Sequence, residues 1–414
     1  MNILCLSDAF WPDHTGGITK SLLSKVEGLV DLSHEITVVC RRLQANHPYH
    51  ETRAGYELYR YISPFRGSLA YRLYPLFSLT NSAQMSAQLH HRRAFDVAYV
   101  NDPFQAISLF RTLPNLPYIY NYHASASSEI QIDAAQGKYG LLKPLMGTVT
   151  NWVRTAEYKA LTNARRIIVD SQFMRQDLSQ LYPDINLSKV KHIPLPVDTR
   201  RFSPTGNKAV PRQKLGLPTN QTILLTIRRL VARMGIENLI TAMKIVANNF
   251  PDVLLLIGGT GYLKERFMTM IQQANLESNI KLLGFIPEEL LATYYQSVDL
   301  FVLPTLLYEG FGLVIIEALA CGTPVIATPI GAISDVLGPL GQEFLFHDNT
   351  PEAIAAGINH WLDRGVSREV QKSCQAFCME HFNKEKICRQ LEDVFVEVVA
   401  PEDGSYRTNG IVSP

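Results

Sequence analysis

Two series of short apolar runs, each alternating with helix-length segments, constrain this chain more than any other feature. The front series is Asn2–Leu6, Glu35–Cys40, Val97–Val100, Tyr118–Asn121 and Arg166–Asp170. The back series is Thr222–Ile227, Val253–Ile257, Ile280–Leu283, Leu300–Leu303 and Pro324–Ala327. Between them lie helix candidates such as Ile18–Val30, Glu237–Asn249 and Leu313–Ala320. Strands that are apolar along their whole length, separated by helices, predict parallel sheets covered on both faces. Two such series predict an α/β chain of two doubly wound, Rossmann-like domains. Pro194, Pro196, Pro204, Pro211 and Pro218, with Gly206 and Asn207, punctuate the joint. The expected organisation is a first domain over 1–195, a linker over 196–218 and a second domain over 219–380. A helix over 381–400 and a frayed tail over 401–414 complete it.

The 414 residues suffice for two domains, and 46% hydrophobic with 19% charged residues fits a globular enzyme. A net charge of +1 gives no global field for nucleic acid, so none is expected as a partner. The balance is uneven, because residues 1–200 hold 21 Lys/Arg against 16 Asp/Glu. Arg41, Arg42, Arg53, Arg60, Arg66, Arg72, Arg92 and Arg93 carry much of the excess. Such a run reads as a solvated surface or as a patch for an anionic acceptor or an anionic membrane.

Six cysteines in this length do not make a disulfide framework. Cys374, Cys378 and His381 are spaced for one helical face, as easily packing as ligation, and no metal site is expected. The first residues read as a strand rather than a leader, and no apolar stretch is long enough to span a bilayer. The expected location is cytoplasmic, with peripheral contact at the inner membrane face compatible with the basic run.

Five local patterns carry chemistry. In Glu309-Gly310-Phe311-Gly312-Leu313, a strand feeds a glycine-rich loop and then a helix, whose free N–H groups and dipole favour negative charge. Glu317 lies about two turns on among apolar neighbours, and a carboxylate there can accept from the two vicinal hydroxyls of a ribose. Arg228, Arg229 and Arg233 follow a strand at the edge where such sheets bind ligands, and a guanidinium grips phosphate through a planar fork. Gly258-Gly259-Thr260-Gly261 makes a tight turn but lacks the full dinucleotide spacing. Gly16 and Gly17 after the first strand suit a phosphate or sugar cradle, or only a turn. His123 ends an apolar strand, where a histidine is more often structural than functional.

The order of these pieces resembles the retaining glycosyltransferases of family 4, whose GT-B fold sets two Rossmann-like domains on a central cleft. The resemblance covers nearly the whole chain. Ile193-Pro194-Leu195-Pro196-Val197-Asp198 and Phe202 are similar to the family's joint. Gly284-Phe285-Ile286 follows the glycine turn. Glu309 and Glu317 form the family's paired-glutamate element, followed by Ala318-Leu319-Ala320-Cys321-Gly322-Thr323-Pro324-Val325-Ile326-Ala327.

The resemblance implies roles. Glu317 would hold the ribose, Glu309 and the backbone of Gly310, Phe311, Gly312 and Leu313 the donor sugar, and Arg229 the diphosphate. The backbone at Phe285 and Ile286 would meet the base, and His123 the donor sugar. Gly16, Gly17, Gly259 and Gly261 would line the donor. The catalytic set is His123, Glu309 and Arg229. One position departs: Met234 stands where the family carries a diphosphate lysine, and Arg228 and Arg233 are the candidate replacements. The implied activity is transfer of a sugar from a nucleoside diphosphate donor, first a UDP-sugar, to an unnamed acceptor with retention of configuration. No cofactor is implied, and no D-x-D pair offers a divalent cation a seat. The alternative is a catalytically impaired protein of the same fold that binds a nucleotide sugar or a partner.

Overall fold

The computed structural model describes residues 1–14, 16–65, 68–135 and 146–400. The tail expected to fray, 401–414, lies outside the described residues. The chain divides into two compact units. One comprises 1–169, 178–193 and the chain from 385, and the other 170–177 and 194–384.

The first unit is built on eight strands: β1 (Asn2–Leu6), β2 (Glu35–Arg41), β3 (His50–Arg53), β4 (Tyr56–Tyr61), β5 (Val97–Val100), β6 (Tyr118–Tyr122), β7 (Arg166–Val169) and β8 (Val190–His192). Their order is β3-β4-β2-β1-β5-β6-β7-β8. All neighbours are parallel except β3 with β4. β5 and β6 are buried along their whole length, as their apolar runs require. The edge hairpin β3–β4 turns through Ala54 and Gly55, both at positive φ, the geometry of a tight two-residue hairpin. The helix Lys384–Val399 supplies Ile387, Leu391, Val394, Phe395 and Val398 to this unit's core at helical spacing. Phe395 meets Tyr99 edge-on at 5.7 Å.

The second unit holds β9 (Ile223–Ile227), β10 (Leu254–Gly258), β11 (Ile280–Gly284), β12 (Leu300–Leu303) and β13 (Val325–Ala327). They form a parallel sheet in the order β11-β10-β9-β12-β13. The segment 196–218, read from sequence as a linker, carries a short helix, Ala209–Lys214, and sends Val197, Phe202 and Leu217 into this unit's core. Proline there shapes a wrapped segment rather than a free one. Cys374 and Cys378 are fully buried on the helix Arg368–Phe382, and Cys378 Sγ donates to the Ile316 carbonyl.

Two arginines of the front-half basic run are buried inside the first unit. Arg41 is buried, pairs with Asp8 at 2.6 Å and lies 4.3 Å from the Tyr74 ring centroid. Arg60 is fully buried between Asp13 and Glu51. Arg42 donates to the Ala45 and His47 carbonyls, and Arg53 and Arg93 face Glu51 and Glu35. Arg66 lies outside the described residues. Arg41, Arg53, Arg60 and Arg93 thus meet carboxylates of the same unit, while Arg92 and Arg93 stay exposed. Among the described residues no helix is long and apolar enough to cross a membrane.

Candidate active site

In the second unit the expected donor residues gather at the carboxyl edge of β9, β10 and β12. Successive residues of an extended segment point to opposite sides, and Arg228 and Arg229 part accordingly. Arg229 is exposed. Arg228 turns inward, where its Nη2 pairs with Glu309, donates to Met234 Sδ at 2.8 Å and reaches Thr305 Oγ1 at 3.3 Å. Its side chain is 8% exposed, and its buried Nε has no hydrogen-bond partner. A guanidinium thus stands beside the thioether that replaces the family's ammonium. Arg233 has another task. Its Nη1 donates to the Tyr308 carbonyl at 2.9 Å, and its own carbonyl accepts from Leu306 N at 2.9 Å. It ties the arginine loop to the loop after β12.

That second loop is held tightly. Tyr308 sits at φ 50°, a conformation a bulky residue keeps only where its surroundings over-determine it. Here its carbonyl takes Arg233, its hydroxyl donates to Asp177 at 3.2 Å, and its ring meets Phe173 edge-on. Ser171 Oγ donates to the Gly310 carbonyl at 2.9 Å, and the Glu309 carbonyl accepts from Ala332 N at 2.8 Å. Ser171, Phe173 and Asp177 come from residues 170–177, and no sequence signal singled them out.

The glycines of the turn after β10 answer a packing need. At Gly259, φ 129°, a Cβ would lie 1.8 Å from the Arg228 carbonyl oxygen, and at Gly261 one would lie 2.2 Å from that of Leu230. The two loops lie backbone against backbone, with Leu230 N donating to Thr260 O at 2.9 Å. After β11, Phe285 is 63% exposed, whereas Ile286 is buried and fills the space above Gly258.

The helix Leu313–Ala320 begins at Gly312, φ 91°, a left-handed start suited to glycine. Phe311 turns into the core against Phe382, so only its backbone is presented. Glu317 is 6% exposed, and its Oε2 accepts from Tyr295 OH at 2.8 Å. Burial, and secondarily the Glu317 charge, push the Tyr295 phenol well above its ordinary range, so it stays a donor at neutral pH. Tyr295 was not among the sequence candidates, since it looks like any aromatic of an amphipathic helix.

The other candidates belong to the first unit. Gly16 caps the helix Gly17–Asp31 without a side-chain bond, and a Cβ there would lie 2.9 Å from the His14 ring. His123 follows β6, with its Nε2 2.7 Å from Asn121 Nδ2 and 3.1 Å from Asn101 Oδ1. Asn121 Nδ2 also donates to Asn101 Oδ1 at 3.0 Å. Nε2 either accepts from the Asn121 amide or donates to the Asn101 carbonyl, so the tautomer decides which of the two it bonds.

Residues 15–201 match the model of Glycosyltransferase Family 4, and residues 207–376 that of Glycosyl transferases group 1. The chain belongs to glycosyltransferase family 4. An uncharacterized glycosyltransferase of Methanocaldococcus jannaschii is 23% identical over 95% of this family 4 chain and 98% of its own. Sucrose-phosphate synthase of Thermosynechococcus elongatus matches with a TM-score of 0.79 at 24% identity, covering 96% of this chain and 98% of that one. Anabaena HepE, solved in complex with UDP, matches with a TM-score of 0.71 at 21% identity over 96% and 100%. These likenesses give the family 4 chain the GT-B fold.

Proposed function

We propose that this family 4 glycosyltransferase moves a hexose from a uridine diphosphate sugar to a hydroxyl of a glycolipid, polysaccharide precursor or small molecule. The transfer retains configuration and uses no divalent metal. The observation that carries the reading is Glu317. A carboxylate buried behind a glycine-rich loop and oriented by a phenol costs stability unless something uses it, and a ribose diol suits its acceptor sites. The HepE structures with UDP and with UDP-glucose support uridine as the base.

The chemistry must part an anomeric carbon from a diphosphate that gains negative charge as the bond stretches. Exposed Arg229 is the diphosphate clamp, and the backbone N–H groups at the start of the helix Leu313–Ala320 add their dipole. Groups aimed at charge that develops in the transition state lower the barrier more than they help binding, each worth about 10²–10³ in rate. Arg228 supplies the second cation in place of a lysine at 234, with Glu309 as its counter-ion. Glu309 and the backbone of Gly310–Leu313 hold the sugar, His123 is assigned to the sugar by family correspondence, and Phe285 offers an exposed ring to the base. Among the described residues no second carboxylate is assigned to the anomeric carbon for double displacement. Attack therefore comes on the leaving-group side, with a diphosphate oxygen taking the acceptor's proton. The rival reading, an impaired binder, rests on Met234, and Arg228 beside that thioether weakens it.

The test is incubation with UDP-glucose in EDTA, reading UDP release and the anomer of the product by NMR. The reading predicts release indifferent to EDTA and an α-linked product from the α-linked donor. Loss of turnover in EDTA, or a β product, contradicts it.

A further inference from the structure

The connection after β6 runs from His123 through Ala124 and Ser125 into the helix Ala126–Ala135. Its backbone is gripped from below by one side chain, Glu157, on the helix Met146–Asn163. Glu157 is 1% exposed. Its Oε2 accepts from Ser125 Oγ at 3.1 Å and from Tyr182 OH at 2.6 Å, and its Oε1 accepts from Ala126 N at 3.2 Å. In each of these three bonds the carboxylate accepts. Burying a carboxylate is costly unless hydrogen bonds meet it; two of these come from the loop itself and one from Tyr182.

The proton order follows from the bonds. Ser125 has one hydroxyl proton and gives it to Glu157, so the 2.8 Å bond between Ser125 and Ser127 is donated by Ser127. Ser125 Oγ also accepts from Ser128 N at 3.2 Å, the N-cap bond of the following helix. Glu157 therefore fixes the cap, and its charge sits at that helix's positive end. Two residues upstream of Ser125, the His123 Nε2 lies within bonding distance of the Asn121 and Asn101 amides, one of which it bonds according to its tautomer.

We propose that Glu157 is a positioning residue for His123, acting through the Ser125 cap to set the backbone from which the imidazole is presented. The proposal rests on the reading of His123 at the donor sugar. Glu157 touches no substrate in this scheme. Its amide isostere keeps one acceptor oxygen and sets an NH2 group against the donors of the other, either Ser125 and Tyr182 or the Ala126 N–H, and the loop would have to move.

The test compares Glu157→Gln, Tyr182→Phe and His123→Ala in the full chain. With UDP-glucose, Glu157→Gln is expected to lower kcat by about 10- to 100-fold, the scale of a roughly 1 Å misplacement. KM should stay within about twofold. In the His123→Ala background the same change should cost less than about twofold, because its effect passes through a group already gone. Losses that multiply across the two sites overturn the proposal. A second readout needs no turnover: the His123 ring resonance, identified by its loss in His123→Ala, should shift or broaden in Glu157→Gln. An unmoved resonance overturns the proposal. If Glu157→Gln fails to fold, Tyr182→Phe keeps the carboxylate, removes one donor, and is read the same way with a smaller effect. Absence of turnover in the wild-type protein would sink the donor reading, while the resonance would still decide this one.

Discussion

Replacing Tyr295 with phenylalanine removes one oxygen atom and tests what holds Glu317. The ring is fully buried, 6.0 Å from Phe202 and 5.5 Å from Phe301, so the aromatic packing survives the change. The bond lost is the 2.8 Å donation to Glu317 Oε2. A hydrogen bond to a charged group is worth about 1.5–3 kcal/mol. We expect a loss of about 2 kcal/mol. At about 2–4 °C per kcal/mol for a unit of this size, the Tm should fall by roughly 4–8 °C. Donor affinity should fall as well, by about tenfold if orientation of the carboxylate is worth about 1.4 kcal/mol. Urea denaturation and calorimetric titration with UDP read the two effects. A variant with unchanged stability and unchanged affinity would refute the reasoning, because Glu317 would then owe nothing to Tyr295.

Met234→Lys should destabilise the protein and leave turnover no better, since it sets an ammonium against the Arg228 guanidinium 2.8 Å from the present sulfur. Arg228→Gly in the same chain should recover stability and donor binding, and failure of that rescue counts against Arg228 as the replacement cation. Gly259→Ala should cost more than the ~1–3 kcal/mol of a strained backbone, because its Cβ meets the Arg228 carbonyl. A thermal melt within a degree of wild type would contradict this. Asp102 N-caps the helix Pro103–Thr112, and its carboxyl is pushed up to about 7 by burial and then by the charge of Asp8. The folded protein therefore holds this proton more tightly than the unfolded chain. The stability it contributes is present below about pH 4 and is lost as pH rises through about 7. Asp102→Asn keeps a capping side chain, so wild type should lose stability relative to it between about pH 5 and pH 8. Equal urea midpoint gaps at both values would rule this out.

The parallel strands were legible because burial on both faces demands unbroken apolar runs, and β1 and β12 have the bounds read from sequence. β3, His-Glu-Thr-Arg, was not, because an edge strand meets water and carries no apolar signal. Arg41 and Arg60 read as surface because partners such as Asp8 and Asp13 lie far away in sequence. The candidate site was legible where chemistry and local conformation coincide, as at Gly312 and Glu317. It was opaque where a distant side chain does the holding. Tyr295, Ser171 and Asp177 have no motif, and only the fold brings them to Glu317, Gly310 and Tyr308. Arg228 and Arg233 looked interchangeable in sequence, yet Arg228 leaves the end of a strand and meets Glu309, while Arg233 sits in a short 3-10 turn, Ala232–Met234, and meets a backbone carbonyl.

The central claim is that the second unit binds a nucleoside diphosphate through Glu317 and Arg229. Calorimetric titration of the wild-type protein with UDP, GDP, ADP and their glucose or mannose conjugates, alongside Glu317→Ala and Arg229→Ala, tests it directly. Selective binding of the uridine compounds, weakened by about tenfold or more in each variant, is the predicted result. Folded protein that binds none of them, or binds UDP equally well without Glu317 and Arg229, would contradict the claim.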